Sequence, residues 1–177
     1  MKMALLGSLA VAALAGLLLA GCGSGEGALP PPVRQSVAAT PTPNVIQGIS
    51  ATYAADEASV YLAAQSLVSA STTAPPPSTA TVLSYLQAAA ASVTVFDGQL
   101  AALAAGAPPN VAAALEAERT ANEAVVKEMG AVVAAKTPAT LATAEAAVQS
   151  GGVAATTAAN AVKTDLGLPT CPTSITC

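Results

Sequence analysis

The apolar residues in the middle of this 177-residue chain recur with a heptad-like period. Between residues 82 and 103 they follow one another at alternating intervals of four and three positions, which places them on one face of an α-helix. This stripe contains Val82, Leu86, Ala89, Val93, Phe96, Leu100 and Leu103. Because such a helix has to bury its apolar face against another element, the segment favours an assembly of packed helices.

Three further segments repeat this period more loosely, and proline-containing breaks at 74–78, 106–110 and 137–138 separate all four. The stripes contain Ile49, Tyr53, Val60, Ala64 and Leu67 in the first segment, Val111, Leu115, Val125, Met129 and Val132 in the third, and Leu141, Val148, Ala155, Val162 and Leu166 in the fourth. Four helical segments of similar length with short connections predict an all-α fold, an up-down-up-down four-helix bundle over residues 45–167.

Local signals support the ends of the fourth helix. Thr137 followed by Pro138 is typical of a helix start, and Gly167 is typical of a helix end. The Gly151-Gly152 pair predicts a kink or a break inside the helix. Aromatic residues make up only 2% of the chain, so the core must consist of Leu, Val, Ile and many alanines, which let helices approach closely.

The N-terminus carries a targeting pattern. Lys2 precedes an uncharged apolar run that ends in Leu19-Ala20-Gly21-Cys22, and this ending resembles the lipobox of bacterial lipoproteins. The resemblance implies that residues 1–21 are a signal peptide, that the chain is cleaved before Cys22, and that the cysteine sulfur is diacylated. An uncleaved N-terminal span and an ordinary secretory signal that contains a cysteine are the alternatives. No later apolar stretch runs near twenty residues without polar breaks, so we expect no second span.

The lipobox resemblance also implies a location and a tether. Two or three acyl chains anchor a protein durably in a membrane. Gly23 is not the Asp that resembles an inner-membrane retention signal, so the resemblance favours the outer membrane, facing the periplasm, in a two-membrane bacterium, and otherwise the outer face of the cytoplasmic membrane. Residues 22–44 are rich in glycine and proline, which predicts a lipidated N-terminus followed by a flexible linker.

Charge and composition exclude several function classes. The chain has six basic and ten acidic residues and no histidine. An acidic surface without a basic patch disfavours nucleic-acid binding, and the absence of histidine excludes Ser-His-Asp and Cys-His catalysis and histidine metal ligands. No nucleophile elbow or phosphate-binding loop occurs. We therefore predict no catalytic site, no cofactor and no metal site.

Six polar residues lie on or beside the apolar stripes, namely Asp56, Glu57, Asp97, Glu118, Asn122 and Glu145. The preferred interpretation places them at the edges of the stripes, solvated or paired with Arg119, Lys127 or Lys136. The alternative is that they point inward and bind a metal or a cationic ligand. Three tyrosines also allow two interpretations, namely Tyr53, Tyr61 and Tyr85. The preferred one makes them core or boundary residues with a solvated hydroxyl, and the alternative places them in the wall of a pocket.

Two functions therefore remain open. The first is a non-catalytic structural or protein-interaction module of the cell envelope, anchored through Cys22 and bound to an envelope protein. The second is a module that carries a small apolar or cationic ligand between its helices. A closed, alanine-packed interior favours the first function, and an internal cavity of a few hundred Å³ favours the second. Enzymatic activity is the weakest hypothesis.

The C-terminal tail, residues 168–177, is predicted to contain a disulfide. Lipidation of Cys22 leaves Cys171 and Cys177 as the remaining cysteines, and an oxidising compartment favours their pairing. A redox dithiol and a zinc site are the alternatives that the spacing and the lack of histidine disfavour. Mass spectrometry of protein from the envelope should show one intramolecular disulfide. Reducing it should hardly change the helical signal, because the closed loop is short. Two thiols at these positions would contradict the prediction.

Overall fold

The computed structural model describes residues 43–72 and 78–171, and four α-helices account for nearly all of this part of the chain. They are α1 (Pro43–Thr72), α2 (Thr79–Gly106), α3 (Pro109–Ala134) and α4 (Pro138–Leu166). No strand occurs in the described ranges, so the prediction of an all-helical fold is confirmed for them. The predicted signal peptide, Cys22, most of the linker and Cys177 lie outside the described residues.

The helix ends are fixed by local hydrogen bonds. Ser78 caps α2 by accepting a bond from the backbone N–H of Thr81 at 3.2 Å. Thr137 forms a reciprocal capping box with Thr140 at the start of α4, which satisfies two backbone donors that a helix start leaves without partners. Gly167 ends α4 in the left-handed conformation, with φ 69°. The boundary predictions at Thr137, Pro138 and Gly167 are confirmed.

Helices that follow one another in sequence pack against one another, α3 most extensively against α4, whereas α1 contacts α4 at fewer positions. The buried apolar residues form two clusters. The first apolar cluster contains Ile49, Tyr53, Phe96, Leu100, Val111, Leu115, Val162 and Leu166. The second contains Leu86, Val125, Met129, Val132, Ala144 and Val148. Every helix contributes to the first cluster, and α2, α3 and α4 contribute to the second.

The stripes read from the sequence are the buried faces of the helices. All five predicted positions of α3 are buried, from Val111 to Val132, and so are five of the seven positions predicted for α2. The other two, Val82 and Leu103, are partly buried and pack against the clusters. The period therefore predicted the packing face correctly. The side chain of Leu67 lies outside the described part of the chain.

The break expected at Gly151-Gly152 does not occur, because α4 continues without interruption to Leu166. These glycines instead permit close packing against α3. A Cβ atom at Gly151 would meet the carboxylate of Glu128 and would lie 3.2 Å from a methyl carbon of Val125. Small residues at a helix contact let two backbones approach, and this explains why the helix tolerates glycine here.

Helix α2 is long and apolar enough to cross a membrane, and it is the one helix within the described residues that meets this criterion. Its most apolar stretch has a mean hydropathy of 1.4. In the structure α2 packs between α1 and α3 and buries Phe96 and Leu100 in the first apolar cluster. Of that stretch 28% is buried inside the domain, so α2 buries one face and leaves the other uncovered.

Truncating Leu115 should destabilise the bundle far more than truncating an exposed residue. Leu115 is fully buried in the first apolar cluster, whereas Val95 on α2 is 63% exposed. We expect Leu115→Ala to lower the free energy of unfolding by about 3 kcal/mol, and the matched control Val95→Ala to change it by less than about 0.5 kcal/mol. Urea denaturation followed by circular dichroism measures both. Equal effects would show that the cluster does not stabilise the fold.

Candidate functional site

Polar side chains interrupt the apolar interior between α1, α3 and α4. On α3, Glu118 lies between Leu115 of the first apolar cluster and Val125 of the second, and only 2% of it is exposed. Side chains from α1, from α4 and from the segment after α4 lie close to it. We call this set the polar cluster; it consists of Tyr53, Glu57, Glu118, Asn160, Lys163 and Cys171.

The Glu118 carboxyl is held by the hydroxyl of Tyr53. This hydroxyl donates its single proton between the two carboxyl oxygens, at 3.0 Å from each. Burial raises the pKa of Glu118 to about 8, against the lowering effect of the Tyr53 bond. Burial also raises the pKa of Tyr53, and the neighbouring Glu118 charge adds to the shift. At neutral pH Glu118 is therefore mostly a neutral acid in contact with a neutral phenol.

Lys163 and Glu57 form an ion pair inside the same region. The ammonium nitrogen of Lys163 lies 2.6 Å from Oε1 of Glu57, and their side chains are 4% and 21% exposed. Burial lowers the pKa of Lys163, but the hydrogen bond and charge of Glu57 outweigh it, so the net shift is upward. The contact with Glu57 therefore favours the charged form of Lys163. Removing one partner would leave the other buried and uncompensated.

The segment after α4 is fastened to this region by Cys171. The side-chain amide of Asn160 donates to the Cys171 carbonyl at 2.7 Å, and its oxygen accepts from the Cys171 N–H at 2.8 Å. The Lys163 ammonium donates to the Cys171 sulfur at 3.2 Å. Two reciprocal backbone bonds to one side chain fix the position of this segment against α4. The predicted partner, Cys177, lies outside the described residues, so the disulfide stays a prediction.

Two further polar contacts join neighbouring helices. Asn122 on α3 donates to Asp97 on α2 at 3.0 Å, and Gln99 on α2 donates to Asp56 on α1 at the same distance. Burial raises the pKa of Asp97 to about 6, although the bond from Asn122 lowers it. These bonds link α1 to α2 and α2 to α3, so side-chain amides neutralise part of the cost of burying the carboxylates.

A small cavity of about 90 Å³ adjoins the polar cluster and is partly open to solvent. Its polar walls come from Glu57, Glu118, Asn122, Thr156, Asn160, Lys163 and Cys171. A water molecule occupies about 30 Å³ in the liquid, so the cavity has room for roughly three waters. The apolar and aromatic walls are Val60, Tyr61, Val93, Phe96, Val125, Ala155 and Ala159.

The preferred interpretation of the polar residues on the stripes is wrong for Glu118 and Asp97. Both are buried, and neither forms an ion pair with Arg119, which binds Glu116 and Glu123 on its own helix. The alternative, inward orientation is confirmed for Glu118. The α3 stripe did contain the signal, because Glu118 follows Leu115 by three positions.

The structure brings some of the predicted residues together and separates others. Glu57, Glu118 and Asn122 all line the cavity, whereas Glu145 does not, and burial raises its pKa elsewhere on α4. The expectation of a solvated hydroxyl is wrong for Tyr53, which is fully buried. Tyr61 is a cavity wall residue, and Tyr85 is 36% exposed.

Sequence reasoning missed Lys163 and Asn160. Lys163 directly follows the buried Val162, so its position beside the α4 stripe was readable. The sequence interpretation paired the acidic residues with Arg119, Lys127 or Lys136. No local pattern indicated that Lys163 would contact Glu57, because the two residues are more than one hundred positions apart. Asn160 carries no signal in the sequence, because its partner is the backbone of Cys171.

Neither a metal-binding group nor similarity to a known protein indicates what this site does. Within residues 43–72 and 78–171, no group of three or more His, Cys, Asp or Glu side chains converges in a way that would hold a metal ion. No protein-family model, curated protein or solved structure matches the chain. The polar cluster and its cavity are therefore interpreted from their own chemistry.

The raised pKa of Glu118 should make stability depend on pH. Folding raises this pKa from its ordinary value of 4.5 to about 8, so the folded chain binds more protons between these values and becomes less stable as pH rises. Relative to Glu118→Gln, the wild type should lose up to about 1.4 kcal/mol per pH unit between pH 5 and 8. Urea denaturation at several pH values measures this.

The control variant for this experiment is Glu116→Gln, whose carboxylate is exposed on the same helix and pairs with Arg119. Its stability curve should run parallel to that of the wild type. Asp97 contributes a loss of stability in the same direction at lower pH, and it is present in all three proteins. A constant difference between wild type and Glu118→Gln from pH 5 to pH 8 would contradict the burial of an ionisable Glu118.

Proposed function

We propose that the chain is an exported lipoprotein whose helical domain acts as a non-catalytic interaction module of the cell envelope. Lipid on Cys22 would hold it on the outer face of the cytoplasmic membrane or, in a two-membrane bacterium, in the outer membrane facing the periplasm. The lipobox-like Leu19-Ala20-Gly21-Cys22 ending supports the anchor. The start of α1 at Pro43, after the glycine- and proline-rich segment, fits a domain carried on a tether.

The observation that carries this proposal is the nearly filled interior. The two apolar clusters occupy the space between the helices, and the cavity of about 90 Å³ beside them is well below the 300–1,000 Å³ that is typical of ligand pockets. A larger and more open groove of about 410 Å³ lies between α2 and α3, and its walls include Asp97, Arg119 and Glu123 rather than residues of the apolar clusters. Such an interior does not accommodate a sizeable apolar ligand. A domain whose apolar clusters enclose no large pocket is suited to presenting its surface to another macromolecule.

We infer that the four helices run up-down-up-down. The composition of the apolar clusters supports this arrangement. The first cluster combines residues near the start of α1 and α3, such as Ile49 and Val111, with residues near the end of α2 and α4, such as Leu100 and Leu166. The second combines Leu86 near the start of α2 with Val132 near the end of α3. Short connections between packed, successive helices are typical of this topology.

The absence of catalysis is proposed from the chemistry of the side chains. The chain has no histidine. In the polar cluster, the ammonium of Lys163 is bound to Glu57 and to the Cys171 sulfur, and the Tyr53 hydroxyl is bound to Glu118. Groups held in such contacts position helices and neutralise one another, which supports a structural role for the polar cluster.

A second candidate function is the binding of a small cationic ligand. The observation that favours it is the Glu118 carboxyl, which lines the cavity and is 98% buried while a neutral phenol is its hydrogen-bond partner. A buried carboxylate is stabilised by a cation. The size of the cavity restricts this function to ligands of a few heavy atoms.

The envelope proposal is tested with Cys22→Ser in the full chain, because serine cannot accept a thioether-linked lipid. We expect the variant to incorporate no labelled palmitate and to leave the membrane fraction, whereas Cys171→Ser, which keeps the proposed anchor, should behave as the wild type. Equal labelling of Cys22→Ser and wild type would overturn the anchor.

The interaction part is tested in intact envelopes with a photoreactive side chain at exposed apolar positions. Leu62 and Val95 are each 63% exposed and Val153 is 46% exposed. We expect a discrete cross-linked adduct from at least one of these positions in the wild-type background and its loss in the Cys22→Ser background. Absence of any discrete adduct from all three positions would contradict an interaction module.

A further inference from the structure

The Glu118 carboxyl has hydrogen-bonding capacity that the described residues do not use. An ionised carboxylate offers about four acceptor positions on its two oxygens. In this protein a single donated proton, that of the Tyr53 hydroxyl, lies 3.0 Å from both oxygens. Glu118 also lines the cavity of about 90 Å³. Its remaining acceptor positions are therefore available to a donor that enters the cavity.

The charges around Glu118 favour a positively charged donor. The groups that act on it are Tyr53 and Glu57 from α1, Asp97 from α2 and Lys163 from α4. Lys163 is already committed to Glu57 and to the Cys171 sulfur. Within residues 43–72 and 78–171 no cation forms an ion pair with Glu118. An ionised Glu118 therefore gives the cavity one negative charge in excess.

The rest of the cavity suits a short hydrocarbon group. Phe96 and Tyr61 provide aromatic walls, and the remaining apolar walls are valines and alanines. Aromatic faces attract cations, and more strongly so where water is excluded. A dry protein cavity of about 150 Å³ holds benzene, which has six heavy atoms. On that scale a cavity of about 90 Å³ holds a ligand of about four heavy atoms.

We infer that this cavity is a binding site for a small alkylammonium ion of about four heavy atoms, with its ammonium on the Glu118 carboxylate and its alkyl group against the apolar walls. The inference rests on the second candidate function and names its ligand class and its residues. Glu118 provides recognition of the charge, Tyr53 holds its carboxyl in place from outside the cavity, and the valines and alanines contact the alkyl group. The Glu57–Lys163 ion pair forms part of the polar wall.

Binding at this site displaces one proton. In the empty site Glu118 is mostly protonated at neutral pH, because burial raises its pKa to about 8. The alkylammonium ion enters with its charge, the Glu118 carboxyl gives its proton to the solvent, and the ion pair that remains is neutral. Affinity therefore rises with pH up to the pKa of the carboxyl and levels off above it.

The experiment uses the full chain in detergent micelles and propylammonium chloride as the probe, at constant ionic strength. Methyl resonances of Val93 and Val125, which line the cavity, report occupancy. We expect saturable binding with a Kd of roughly tens of micromolar or weaker, the limit for a ligand this small. Binding should be about fivefold stronger at pH 8 than at pH 7. Potentiometry should detect nearly one proton released per ligand at pH 7.

Two variants of the site, one control variant and two further probes make the result decisive. Glu118→Gln keeps an acceptor for Tyr53 but loses the charge, and it should weaken binding more than tenfold. Ala159→Leu should block binding by filling the cavity, and it retains Glu118 if the first variant fails to fold. Glu116→Gln should bind as the wild type does. Propanol, which is uncharged, and propionate, which is negatively charged, should bind at least tenfold more weakly than propylammonium.

Three results would overturn the inference. They are the absence of saturable propylammonium binding to the wild type, equal binding of propanol, and unchanged binding by both Glu118→Gln and Ala159→Leu. Each of these outcomes leaves the behaviour of Cys22→Ser in the membrane fraction unaffected. Failure of the binding site and failure of the proposed anchored module are therefore distinguished by separate measurements.

Discussion

Close approach of alanine-rich helices is the constraint on which the rest of this structure depends. Few large side chains are available to fill the interior, so the helices must pack closely for their apolar stripes to meet. Gly151 illustrates this, because even a methyl group there would collide with side chains of α3. In an interior this tight, a polar residue near a stripe cannot easily reach solvent. Glu118 and Asp97 have their hydrogen-bond partners on neighbouring helices, whereas one carboxylate oxygen each of Glu128 and Glu145 is buried without a hydrogen-bond partner among the described residues.

The polar cluster is the result of that constraint. Tyr53 with Glu118 and Glu57 with Lys163 each join α1 to another helix. Helix α1 packs mainly against α2 and touches α3 and α4 at few positions, so these polar contacts account for a large share of its attachment to α3 and α4. Buried ion pairs add little net stability but specify which side chains must meet. We interpret the cluster as the feature that sets how α1 lies against α3 and α4.

The sequence was sufficient for the features that depend on neighbouring residues. The interval between apolar residues predicted the buried faces, and the residues around Thr137 and Gly167 predicted the ends of α4. It was insufficient where the outcome depends on a distant partner. Lys163 follows Val162 by one position, which is about 100° around a helix, and α1 decides whether that side is covered. Asp97 likewise follows a buried residue, Phe96, by one position, and whether its side of α2 is covered depends on a distant part of the chain.

The contact between the start of α1 and the end of α4 determines how the domain is presented. Ile49 and Leu166 belong to the same apolar cluster, and the Ser50 hydroxyl donates to the Leu166 carbonyl at 3.1 Å. The chain therefore enters and leaves the domain at the same pole. The turn at residues 135–137 lies at the opposite end of α4. A label in that turn would therefore lie far from whatever is attached before Pro43, whereas a label just after Leu166 would lie close to it.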